Sequence, residues 1–465
     1  MRRKDVNMLE GSIFKGLFII ALPIMLMNVL QNLFNIVDMT ILKSFDTDGL
    51  SVGAVGACSS LITCITNLVT GIATGANVVI AKHLGRKEPH EGERAAGTAV
   101  LLAGTAGLIL AIIGISCAEL FLGWTGCPAE IESRAALYFR LYFAGVPLLL
   151  IYNFCTAILR SSGNSQQIMV ISLTGGVTKV AATYLFVGVF KMGIMGVSLA
   201  TISAWLVFVA LSFRSLTRPE RVVKIRFKHL RFYKSELLPI LRTGIPTGLQ
   251  MAMYSFANVA IITAVNGLGV KATTGVSIAN TFDGLLYALS HATSLAVLPY
   301  VSQNVAAGNI KRATESIWKG IIVSSCIAAF FGALSAIFSK ELASTMSTDP
   351  TVIAYARQKM IIISSTYFIC GINDIFNAAV RGMGKPVLPT VTTLLFMCLM
   401  RFAWVWFVFP LLPNLTFLYM VWPMGWIICI LISIAVMIPT VKKLTIAAKQ
   451  KAAQAEQPAA LVVEE

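Results

Sequence analysis

Twelve apolar runs, each about 20 residues or longer, limit what this chain can fold into. They lie near 14–42, 51–81, 95–117, 134–159, 167–190, 193–213, 237–266, 273–300, 316–338, 353–380, 387–410 and 417–440. A helix of that length crosses the roughly 30 Å hydrocarbon core of a bilayer. Only helices and closed barrels satisfy every backbone group there. The expected fold class is therefore an all-α membrane protein with twelve transmembrane helices. Charged residues make up 12% of the chain, against about 25% in a soluble domain, so little mass is left outside the bilayer.

The net charge of +16 is an orientation signal. With the N-terminus in the cytoplasm, Arg2, Arg3, Lys4, Lys15, Lys82, Arg86, Lys87, Arg160, the basic residues from Arg214 to Arg242 and those after Lys442 all fall inside. Outside fall only Lys43, Arg134, Arg140, Lys191, Lys271, Lys340, Arg357 and Lys359. This is the positive-inside pattern, with both termini cytoplasmic and the chain in the plasma (inner) membrane. It leaves no role for nucleic acid. The first run is too long for a signal peptide, and no small-residue cleavage site follows it. Nine cysteines without a CxxC pair sit mostly within the runs, as small apolar fillers.

The two halves repeat. Sliding the sequence by about 223 places Pro23 on Pro246, Leu26 on Leu249, Asn35 on Asn258 and Gly85 on Gly308; sliding by about 221 places Arg160 on Arg381 and Gly163 on Gly384. Six spans per half give both halves the same orientation, so they are parallel repeats related by an axis along the membrane normal. The expected organisation is a six-helix lobe over 1–213, a basic cytoplasmic linker over 214–235, a second six-helix lobe over 236–441 and a mobile cytoplasmic tail over 442–465. Pro23 and Pro246 are hinge candidates, with Pro147 and Pro389 as further kinks. Gly71 with Gly75 and Gly244 with Gly248 match small-xxx-small helix packing.

A charged side chain near the bilayer centre costs roughly 2.5–3.5 kcal/mol on insertion scales. Such a residue needs a partner, water or a proton. Asp38 ends a stripe with Asn28, Gln31 and Asn35 at helical spacing. Asn280, Asp283, Tyr287 and His291 share a face in the eighth span, as do Cys370, Asp374, Asn377 and Arg381 in the tenth. Lys179 and Arg401 are the candidate partners of these carboxylates. No phosphate-binding GxxxxGK[ST], HExxH, GxSxG or metal-spaced Cys/His cluster occurs, so the chain has no ATPase and no enzymatic signature. Any transport it performs must draw on an ion gradient or on the cargo's own gradient.

PIMLMNVLQNLFNIVD in the first span, GANVVIAKHLGR after the second, ILRSSGNS after the fourth, GIPTGLQ in the seventh, SQNVAAGN after the eighth and VRGMGKP after the tenth resemble the multidrug and toxic compound extrusion (MATE) family. The match covers about residues 10–440 and favours the DinF-like or a neighbouring bacterial branch. The resemblance implies two six-helix lobes and export of cationic, amphipathic compounds in exchange for inward Na⁺ or H⁺, with no other cofactor. It implies coupling at Asp38 beside Asn35, with a Na⁺ site near Asp38 or near Asp374. The chain departs from that pattern. Lys179 and Thr183 stand where the related branch has N-x-x-x-[D/N], and Tyr254 stands where the NorM-like branch has a glutamate. The rival reading from the wider superfamily is a flippase for a lipid-linked saccharide or other lipid, which requires a cationic cleft. The expected partners are small cationic molecules and membrane lipid, with the chain acting as a monomer.

Overall fold

The computed structural model describes residues 6–45, 50–124 and 127–460, except for the side chains of residues 227 and 451–460. Arg2, Arg3 and Lys4, and the end of the tail at 461–465, lie outside the described residues. The helices are α1 (Ile13–Phe45), α2 (Leu50–Gly85), α3 (Pro89–Ser116), α4 (Ala118–Trp124), α5 (Ala129–Ser161), α6 (Ser165–Thr183), α7 (Gly193–Leu216) and α8 (Lys234–Asn266). There follow α9 (Val270–Ala306), α10 (Ile310–Ile337), α11 (Ser339–Ser344), α12 (Pro350–Gly382), α13 (Val387–Thr393), α14 (Met400–Ala403), α15 (Leu415–Tyr419) and α16 (Val421–Ala460). Among the described residues, twelve helices or continuous helical runs are long and apolar enough to cross a membrane, and each coincides with one of the apolar runs of the sequence. The described residues contain no strand.

The repeat is visible in the local backbone. Short helices α4 and α11 follow the third span of each half. The ILRSSGNS and VRGMGKP segments end their helices alike. Gly163 (φ 78°) and Gly384 (φ 91°) take the left-handed conformation. The next residue's N–H returns to a carbonyl five residues back, from Asn164 to Leu159 at 2.9 Å and from Lys385 to Val380 at 3.1 Å. That closes the last helical turn, and glycine adopts the required φ without a Cβ penalty. A second pair closes α2 and α9. There the residue matching left-handed Gly308 is Lys87 (φ 61°), not Gly85 as the sequence alignment placed it. Gly85 serves a different need, since a Cβ on it would lie 2.1 Å from the Gln303 carbonyl oxygen.

In both halves the fifth span switches to π-helical turns, at Tyr184–Val189 and at Leu394–Leu399 and Trp404–Val408. Such turns mark places where the regular backbone ladder is interrupted. Pro23, Pro147 and Pro246 lie inside continuous helices. Pro389 does not break one. It sits in the first turn of α13, where its missing N–H would have had no intrahelical acceptor. The last helix runs to Ala460 rather than stopping near 440.

By contacts the described chain divides into two compact units. One comprises residue 6, 19–80 and 89–258, the other 7–18, 81–88 and 259–460. Within the first, α2 and α8 meet backbone to backbone. A Cβ on Gly71 would lie 2.3 Å from Gly248 Cα, and one on Gly75 would lie 2.3 Å from the Ile240 carbonyl oxygen. The basic linker packs on α3 in the same unit. Thr98 Oγ1 donates to the Arg231 carbonyl at 3.0 Å, and Arg226 Nε lies 3.0 Å from Oε2 of buried Glu93. Within the second unit, Arg312 donates to the carbonyls of Met8, Glu10 and Gly11, which fixes the segment leading into α1.

Candidate functional site

In the first unit, α1 carries Asn35 and Asp38 one turn apart, and α6 brings Lys179 and Thr183 to them, also one turn apart. The i, i+3 and i, i+4 spacings place each pair on one helix face. Lys179 Nζ lies 2.5 Å from Asp38 Oδ2 and donates to Asn35 Oδ1 at 2.9 Å. Thr183 Oγ1 is 2.8 Å from Asp38 Oδ1 and 2.9 Å from the Lys179 carbonyl, so its single proton serves one of them at a time. Asp38 is 3% exposed. Its charge is thus balanced in place, and Asn35, Asp38, Lys179 and Thr183, all named from the sequence, meet at one point. Gln31, two turns earlier on α1, is half-buried and joins none of these bonds.

In the second unit the named residues form two groups. Asp283 on α9 pairs through Oδ2 with Lys359 on α12 at 2.9 Å, and Lys359 also donates to Asn280 Oδ1. The Lys359 ammonium lies 5.2 Å from the centroid of the Tyr419 ring, and Tyr367 donates to the Asp283 carbonyl at 3.3 Å. Two turns further along α9, His291 Nδ1 is 2.9 Å from Asp374 Oδ2 on α12, with Tyr287 stacked on the imidazole at 5.1 Å. Asn377 is buried nearby on α12. Arg401 is 1% exposed, and its guanidinium lies 4.5 Å from the Trp422 ring centroid, a cation–π arrangement. Tyr254 is half-buried on α8 in the first unit, next to Ser255, which accepts a hydrogen bond from Asn67.

Lys359 is the residue whose role the sequence leaves out. It is one of the outer basic residues of the charge pattern, and the structure shows it 3% exposed and holding the Asp283 charge. The signal was present: the tenth-span stripe through Arg381, Asn377, Asp374 and Cys370 continues backwards through Tyr367 and Ile363 to Lys359. Among the described residues no group of three or more His, Cys, Asp and Glu side chains is placed to hold a metal ion.

The MatE family model matches residues 23–185 and 246–407, one copy in each half. The chain is 26% identical over 395 residues to a probable multidrug resistance protein, YoeA, of Bacillus subtilis, covering 83% of this chain and 84% of the relative. It is 21% identical over 394 residues to a protein named FAD transporter from Shewanella oneidensis, covering 83% and 86%. Among solved structures, a MOP-superfamily transporter of Pyrococcus furiosus, described as having a binding pocket of reversed polarity, superposes with a TM-score of 0.88. It shows 17% identity and covers 96% of this chain and 99% of that one.

Proposed function

The chain belongs to the MatE family, whose members are transporters and not enzymes, and from that premise we propose that it is a secondary antiporter. It exports cationic, amphipathic compounds by alternating access in exchange for inward protons. It acts as a monomer in the plasma membrane with both termini cytoplasmic, and its two six-helix lobes over 1–213 and 236–441 hinge at Pro23 and Pro246. The observation that carries the reading is the Asp38–Lys179 pair on α1 and α6. A relative named as a multidrug resistance protein supports the cargo class.

Asp38 is neutral towards its surroundings while Lys179 holds it. A lipophilic cation reaching the site competes with the Lys179 ammonium for Asp38 Oδ2, and Asn35 Oδ1 gives the displaced or arriving cation a second acceptor. A proton arriving from outside neutralises Asp38 and removes the attraction, so the cargo leaves. Deprotonation on the inner side restores the pair. A sodium ion would need the oxygen ligands around Asp38 that Lys179 already occupies, whereas a proton needs only one carboxylate oxygen. This favours H⁺ over Na⁺. One proton in for one monovalent cation out is electroneutral, so the pH gradient alone drives it, at about 1.4 kcal/mol or tenfold in cargo per pH unit.

A second reading, export of an anionic cargo or lipid-linked saccharide, rests on Lys179, Lys359 and Arg401, three buried or half-buried cations in the spans. The relative named FAD transporter and the fold neighbour with reversed pocket polarity keep it in view. The deciding experiment is ethidium efflux from proteoliposomes under separate pH and Na⁺ gradients, with wild type and Asp38→Asn. Efflux driven by pH and lost in the variant supports proton coupling at Asp38. Efflux driven only by Na⁺ overturns the choice of ion. No efflux under either gradient overturns the cationic cargo.

A further inference from the structure

The same three-residue arrangement occurs in both units. One helix presents Asn-x-x-Asp, and another helix brings a single lysine to it. NIVD on α1 (Asn35 to Asp38) receives Lys179 of α6, and NTFD on α9 (Asn280 to Asp283) receives Lys359 of α12. In each, the ammonium pairs with the aspartate Oδ2 and donates to the asparagine Oδ1. The internal repeat places Asn258, not Asn280, opposite Asn35, so the recurrence is one of chemistry rather than of register.

The second clamp differs from the first in two ways. Asp38 Oδ1 is met by Thr183, whereas Asp283 Oδ1 is buried and accepts no hydrogen bond among the described residues. The second clamp also has an aromatic face, Tyr419, against its ammonium. A carboxylate with an acceptor to spare, an amide oxygen and a phenol ring are the groups that recognise an organic ammonium. Both oxygens accept N–H, so a primary ammonium fits better than a quaternary one.

We propose that Asn280, Asp283 and Tyr419 form a second ligand site, for a primary alkylammonium group, which Lys359 fills as a tethered ammonium. A ligand must exchange with Lys359 to bind. The lysine is held at high effective concentration, so it weakens every cation that lacks further contacts. It thereby acts as a filter on cargo at the Asp283 site. This goes beyond coupling at Asp38, and its test uses no gradient, so its failure is separate from failure of the transport reading.

The probe is n-butylammonium chloride, added to the full chain purified in detergent and followed by calorimetry and thermal shift. Lys359→Met keeps most of the apolar stem and removes the ammonium group. The expected result is binding at least tenfold tighter than to wild type. NaCl at equal ionic strength gives no shift, tetramethylammonium gives a smaller one, and Lys359→Met with Asp283→Asn gives none. Equal affinity in wild type and Lys359→Met, or binding that survives in the double variant, overturns the proposal. Should Lys359→Met not fold, Lys359→Gln, whose amide still donates to the clamp, carries the same comparison. If neither folds unaided, refolding yield with butylammonium against NaCl decides it, and no gain counts against the site.

Discussion

Lys87 and Gly308 hold the same left-handed position at the ends of α2 and α9, with φ of 61° and 79°. An L-residue with a Cβ pays about 1–2 kcal/mol there, while glycine brings an entropic cost of roughly 0.5–1 kcal/mol from the unfolded chain. Lys87→Gly is expected to stabilise by about 0.5–1 kcal/mol, and Gly308→Ala to destabilise by about as much. Thermal midpoints of the two variants in one detergent check this. A lowered midpoint for Lys87→Gly would mean that the lysine side chain has contacts worth more than the backbone strain.

The α2–α8 crossing gives a contrast between glycines. A Cβ on Gly75 would meet the Ile240 carbonyl at 2.3 Å and Gly244 N at 2.7 Å, all of it backbone. Gly75→Ala therefore forces the helices apart and is expected to cost about 1–3 kcal/mol or more. Gly284, inside α9, has nothing within 4 Å of its Cβ position. Gly284→Ala should be neutral or stabilise by up to about 1 kcal/mol through helix propensity. Equal midpoint shifts in the two variants would remove the packing argument.

The spans were legible because bilayer thickness imposes a long apolar run, and no tertiary context overrides it. Glycine spacing marked α2 and α8 as close-packing helices without pairing them, and one helical stripe put Asn35 beside Asp38, while the assignment of Lys179 to Asp38 in particular, and Thr183 altogether, came only from the family resemblance. Lys359 was not legible as a partner, because its place on the α12 stripe does not show which helix faces it until Asp283 is seen opposite. Nor was Glu93. It lies in a stretch of mixed charge near a span end, and only the folded linker shows Arg226 reaching it. Residues that act in pairs across helices cannot be matched from one sequence, since spacing fixes the face of each helix but not which faces meet.

The linker offers a pH test outside the membrane. His229 lies 4.0 Å from Glu93 Oε2, with Lys228, Arg226 and Arg94 around it. Burial, and then these cations, push the His229 imidazole below its usual value of 6.5, with Glu93 opposing them. The folded protein therefore binds this proton less readily than the unfolded chain. The stability contribution is full above about pH 6.5 and is lost as the pH falls below it. Limited proteolysis of residues 214–235 should accelerate on acidification from pH 7.5 to 5.5, and less so in His229→Asn. The same acceleration in both would assign the effect to another group.

The Lys179–Asp38 pair makes the sharpest energetic prediction. Each member is held by the other at 2.5 Å, and Asp38 is almost wholly buried. Removing one partner of a buried pair leaves an uncompensated charge and costs about 3–5 kcal/mol, while removing both costs much less. Lys179→Met and Asp38→Asn should each lower the thermal midpoint, and the double variant should recover most of the loss. The coupling, read from the four midpoints, isolates the pair from the rest of the site. Additive losses would mean that solvent or Thr183 alone already compensates Asp38. Lys179 would then not be the resident cation that a proton or a cargo must displace.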